Sequence, residues 1–226
     1  MELKGTKKVE IPYFLNQLDA DKSILIVGEC VAVDGISKCI LEKGCNQVIT
    51  TDIRSSPADS WLQQNTNWEH KELDFLEFDE TDKYDFIISI SVFEHFGLYW
   101  GDMSMHGDGD KTDIIRWNHD LRAIAKSCKL LKDKESKLII TLPAGPYMNY
   151  NDKGDPILRY YNEQRQQLIK QIIVDNNCII SDEKFYFSED FEKWDEVGPE
   201  INTPSYYPYH NSFTPNVIWA FTVQQS

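Results

Sequence analysis

The chain has no apolar run approaching the roughly 18 residues that suggest a membrane-spanning helix. Its opening Met-Glu-Leu-Lys-Gly-Thr-Lys-Lys lacks the apolar stretch of a secretory leader. Together these absences predict a soluble, cytoplasmic protein with no membrane partner. Basic clusters are missing too: 23 Lys and Arg stand against 37 Asp and Glu, for a formal charge of −14 and a pI near 4.7. Nucleic acids are held largely through phosphate contacts to Lys/Arg patches, so no nucleic-acid partner is expected. The cysteines (Cys30, Cys39, Cys45, Cys128 and Cys178) are odd in number and contain no C-x-x-C pair. They read as reduced thiols packed as small hydrophobes. There is no internal repeat and no low-complexity linker.

What is present is a strand-then-helix alternation within 226 residues that are 41% hydrophobic and 12% aromatic, enough for one packed domain over 1–226. Strands are expected at 23–27, 47–51, 70–73, 85–90 and 137–142, the first a continuous apolar run of the kind buried on both faces. Helices are expected over about 35–43, closed by Gly44 as a C-cap, over 114–131, and over 161–176 with Leu168, Ile169, Ile172 and Ile173 on its buried face. Residues 1–20 are expected to form an N-terminal helical extension. Two last strands, 178–187 and 217–223, have no obvious helix between them and are expected to pair antiparallel. The predicted architecture is α/β, a Rossmann-like seven-stranded, mostly parallel sheet with a reversed terminal strand and helices on both faces. Three long connections, 93–113, 143–160 and 188–213, are expected as loops over one mouth, because ligands of open parallel sheets bind beyond the carboxyl ends of the strands.

The run from Ile24 to Gly28, Glu29, Cys30 and Ala32 resembles the first motif of class I S-adenosylmethionine-dependent methyltransferases, a strand entering a G-x-G-x-G turn. Only Gly28 is retained; Cys30 and Ala32 occupy the other two positions. Asp52, at the tip of the second strand, can accept from both ribose hydroxyls. Asp74 and Phe75 follow the third strand, where the family accepts from the adenine amino group and covers the ring. Helix N-capping or a solvated loop is the competing reading for either aspartate. Ser91 joins the cofactor-binding candidates. Glu29 and Asp34 flank the glycine turn and would repel a diphosphate, which argues against a nicotinamide cofactor and is compatible with a sulfonium and an ammonium.

After the fourth strand, Ser89 to Asp102 resembles an S-x-x-E-H-x-G-L-x-x-Y/W-G-D pattern in a bacterial methyltransferase-like group linked to surface-polysaccharide gene clusters. The similarity continues through Pro143 and Gly145 to Arg159 and Tyr160. It implies S-adenosyl-L-methionine as cofactor and a small hydroxyl-bearing acceptor, of sugar type. A hydroxyl acceptor needs a base. His95 is the first candidate, with Glu94 as its orienting partner or as the base itself, and Asp102 third; the alternative is that both His95 and Glu94 serve only the loop and the following helix. Tyr99, Trp100, Arg159, Tyr160, Tyr207 and His210 are the acceptor-binding candidates, the last two in an aromatic cluster that could stack on sugar faces or merely anchor its loop. The Asp/Gly-rich stretch 102–113 lacks EF-hand spacing and reads as a lid rather than a metal site. Two other readings stand beside the enzyme: a scaffold of the same fold that has lost catalysis, and a nicotinamide-dependent oxidoreductase.

Overall fold

The computed structural model describes residues 3–28, 36–55, 60–98, 117–145, 148–150, 156–202 and 216–226. Its central sheet has eight strands: β1 (Ser23–Val27), β2 (Gln47–Asp52), β3 (Trp68–Glu72), β4 (Phe86–Ile90), β5 (Lys137–Pro143), β8 (Cys178–Phe187), β9 (Asp195–Val197) and β10 (Val217–Gln225). A separate hairpin joins β6 (Met148–Tyr150) and β7 (Pro156–Arg159). The helices are α1 (Lys7–Leu15), α2 (Ile36–Glu42), the short α3 (Ser60–Gln63), α4 (His119–Leu130) and α5 (Glu163–Asp175).

The strand order is β3-β2-β1-β4-β5-β10-β8-β9. The first five strands are mutually parallel, and β10 runs antiparallel to both β5 and β8. The expected fold class is therefore observed, with one difference: the sheet has eight strands rather than seven, because β9 forms within the expected 188–213 loop and pairs with the end of β8. The reversed terminal strand, β10, lies between β5 and β8, and β8 runs in the direction of the first five. Burial explains the insertion. The first seven residues of β10 are all buried, so both its faces and both its edges need cover, whereas β8 alternates and tolerates solvent on one face.

Period-two alternation splits the core. Leu25, Ile49, Ile87, Leu138, Ile140, Trp219 and Phe221 point to the face covered by α4 and α5. Ile24, Ile26, Val48, Phe86, Ile88 and Ala220 point to the other, against Ile11 and Phe14 of α1 and Ile36 and Ile40 of α2. Gly44 ends α2 as expected, with φ +89° and its N–H on the Leu41 carbonyl. In α5, Ile169 and Ile173 are buried and Ile172 partly so, but Leu168 is 53% exposed, a correction to its expected place in the core. The helix is rotated so that Gln166, hydrogen-bonded to the Tyr161 carbonyl, takes an inward position instead.

Candidate active site

Four of the parallel strands, β1, β2, β4 and β5, bring their carboxyl ends together, and Gly28 stands at the tip of β1. Its φ is +81°, its N–H donates to the Thr51 carbonyl at 2.7 Å, and a Cβ there would collide with both γ-carbons of Val92. Glycine is thus required twice, for the left-handed turn and for the close approach of the chain leaving β4.

Asp52 ends β2 and is 7% exposed. Its Oδ1 accepts from the Arg54 backbone N–H at 3.0 Å and from Arg54 Nε at 3.3 Å. His70 on β3 braces that turn: Nε2 donates to the Arg54 carbonyl at 2.9 Å while Nδ1 lies 2.8 Å from the Thr50 hydroxyl. Asp74 caps the 3-10 turn Phe75–Glu77, its Oδ1 accepting from the Leu76 N–H. Phe75 is 2% exposed and packs against Phe93 and Phe96, so its ring lies under the turn that follows β4 rather than in the mouth.

That turn, Phe93–His95, carries the two principal catalytic candidates. Phe93 anchors it in the core, Glu94 is 1% exposed, and His95 is half-buried. Glu94 Oε2 has no hydrogen-bond partner among the described residues. Burial, followed in part by the nearby charge of Glu10, pushes the Glu94 carboxyl up to about 8. Before the turn, Ser91 adopts φ +50°, and its N–H donates to the Thr141 carbonyl on β5.

Glu10 of α1 was not among the sequence candidates. It is fully buried; its Oε1 accepts from the hydroxyls of Ser91 and, at 2.6 Å, Thr141, and its Oε2 accepts from Lys7 at 2.8 Å. Burial alone would raise its pKa, but Lys7 and the two hydroxyls outweigh that and hold it below the usual carboxylate range. The sequence trace is a carboxylate inside an apolar stretch, Val9-Glu10-Ile11, whose partners lie 81 and 131 residues away.

Arg159 on β7 is 1% exposed, with Nη1 and Nη2 on the Phe96 carbonyl at 3.3 and 3.4 Å, Nη2 on the Trp117 carbonyl at 3.1 Å, and Nη1 3.4 Å from Asp120. Asp120, buried at the start of α4, also accepts from the Tyr161 hydroxyl at 2.9 Å and Arg165 Nε at 3.0 Å. Arg159 therefore ties the end of the Glu94 turn to α4 from beneath. Tyr160 beside it is half-buried. Asp120, Tyr161 and Arg165 were also missed, because each is defined by partners distant in sequence.

Glu29, Cys30, Tyr99, Trp100, Asp102, Tyr207 and His210 lie outside the described residues. Among the described residues no group of three or more His, Cys, Asp or Glu is disposed to hold a metal ion, and no helix is long and apolar enough to cross a membrane.

This architecture is shared with known structures. A SAM-dependent methyltransferase of Methanosarcina mazei superposes with a TM-score of 0.60 at 13% identity, over 95% of this chain and 97% of that one. A Streptococcus thermophilus protein assigned as a hemolysin gives 0.58 at 13% identity, over 100% of this chain and 69% of its own. The 1,6-didemethyltoxoflavin-N1-methyltransferase of Burkholderia thailandensis, with bound 1,6-didemethyltoxoflavin and S-adenosylhomocysteine, gives 0.56 at 10% identity, over 97% and 76%. No protein-family model and no curated protein matches the chain. The fold is that of the class I S-adenosylmethionine-dependent methyltransferases.

Proposed function

We propose that the protein is an S-adenosylmethionine-dependent methyltransferase acting on a small hydroxyl-bearing acceptor, a sugar or sugar-derived metabolite. The observation that carries this reading is the junction of β1 and β2. Gly28 makes a left-handed turn one hydrogen bond from β2, and the Asp52 carboxylate ends that strand at the carboxyl edge of the sheet. These residues fit an adenosyl ligand: the Asp52 carboxylate, at the carboxyl edge of the sheet beside Gly28, can accept from a vicinal diol, sharing or displacing Arg54.

The cofactor would supply a methyl group already activated on sulfonium, so the chain's task is orientation and removal of the acceptor proton. We assign the proton acceptor to Glu94, whose buried Oε2, without a hydrogen-bond partner among the described residues, and raised pKa near 8 suit a base at neutral pH. His95, half-buried next to it, would exchange that proton with solvent. Asp74 would border the adenine side and Ser91 the methionine side, with Phe75 supporting the Glu94 turn from beneath. Arg159 would act by holding the turn, with Tyr99, Trp100, Tyr207 and His210 contacting the acceptor. The sugar preference rests on sequence resemblance and on the aromatic cluster 206–210.

Isothermal titration with S-adenosylhomocysteine tests the cofactor. Binding is expected; a folded protein that shows none favours the scaffold reading, and NADH binding in its place favours an oxidoreductase. Transfer of labelled methyl to a panel of hydroxylated and amino acceptors then tests the acceptor class.

A further inference from the structure

We infer that Glu10, on the N-terminal helix, is a positioning residue for the active site, clamping the exits of β4 and β5 and setting the electrostatic environment of Glu94. The inference rests on the methyltransferase reading of the same site.

A carboxylate taken out of water must be compensated by a cation and hydrogen bonds. Glu10 has both, and its hydroxyl partners lie at one point of the sheet. Ser91 immediately follows β4 and Thr141 belongs to β5, and these are neighbouring parallel strands. Ser91 holds a left-handed φ that a residue with a side chain adopts only when its surroundings impose it. Two contacts impose it here: its N–H on the Thr141 carbonyl and its hydroxyl on Glu10. The chain turning at Ser91 then packs Val92 against Gly28 and delivers Glu94 two residues later. One side chain on α1 thus fixes the path between the proposed cofactor turn and the proposed base.

Among the described residues, the charged and titratable groups that act on Glu94 come from α1 and from β7 with the residues that follow it. Glu10 and Lys7 lie on α1, Arg159 on β7, and Tyr161 just beyond it. Glu10 disfavours the Glu94 carboxylate, whereas Lys7 and Arg159 favour it. Two substitutions on α1 should therefore move Glu94 in opposite directions, which a general loosening of the fold would not do.

The test is a carbon-13 carboxyl NMR titration of the full-length protein, with Glu94→Gln used to assign the signal. Glu10→Gln should lower the Glu94 midpoint by about one unit, and Lys7→Met should raise it by a comparable amount. The acid limb of the methyl-transfer pH profile should follow in the same directions. An unchanged midpoint in a folded Glu10→Gln variant, or shifts of the same sign in both variants, overturns the inference. If Glu10→Gln does not fold, Lys7→Met decides alone: a raised midpoint supports it and an unmoved one overturns it. Failure of the methyltransferase reading is separately visible, as wild-type protein that binds no S-adenosylhomocysteine while both midpoints shift.

Discussion

Val92 occupies the space that a side chain at residue 28 would need, so the turn after β1 and the chain leaving β4 fit together only because residue 28 is glycine. Gly28→Ala should cost roughly 2–4 kcal/mol, combining left-handed strain with overpacking. Urea denaturation measures it. Adding Val92→Ala should recover the overpacking part but not the strain; full recovery would show that the positive φ is not enforced.

Asp52→Ala should weaken S-adenosylhomocysteine binding by about 10- to 100-fold, the equivalent of roughly 1.5–3 kcal/mol of hydrogen bonding to a charged group. Calorimetry reads this directly. An affinity within twofold of wild type would remove Asp52 from the nucleoside site.

Stability should report the buried carboxyl of Glu94. Its folded pKa, near 8, lies above the ordinary 4.5, so between those values the folded protein holds a proton that the unfolded chain has released. Its contribution is fully present below about pH 4.5 and is lost as pH rises through 8. Glu94→Gln cannot ionise, so the stability difference, variant minus wild type, should grow from pH 5 to pH 9. A difference independent of pH would refute the raised pKa.

The rate should rise over the same window. With Glu94 as base, kcat/KM increases with pH through about 8 and levels off above it. Glu94→Gln should lose that limb together with roughly 10²- to 10⁴-fold in kcat. His95→Ala should leave S-adenosylhomocysteine affinity within twofold while reducing kcat. If His95→Ala abolishes the limb and Glu94→Gln does not, the base is His95.

Removing Asp120 would leave Arg159 and Arg165 without their shared anion in the interior. Asp120→Ala should destabilise by roughly 3–5 kcal/mol, measured by denaturant unfolding. Arg159→Met should likewise lower stability; a variant of unchanged stability with impaired acceptor binding would return Arg159 to the substrate site.

The β-strand runs and the α4 and α5 periodicities were legible because each is a local pattern: apolar continuity for strands buried on both faces, helical spacing for one-sided burial. Gly28 and Asp52 were legible for the same reason, since a strand tip followed by glycine or aspartate needs no distant partner to be recognised. Leu168 was misread because it stands at one margin of the stripe it forms with Ile169, Ile172 and Ile173, and which margin is covered depends on what the helix packs against.

The sequence by itself determined the parallel α/β sheet and the strand tips that carry Gly28 and Asp52. Only the tertiary structure decided that β10 lies between β5 and β8, that Arg159 turns inward to Asp120, and that Glu10 reaches Ser91 and Thr141. Local order follows from side-chain periodicity along the chain. A strand's neighbours and a buried charge's partners are set instead by which distant groups can satisfy them once water is gone.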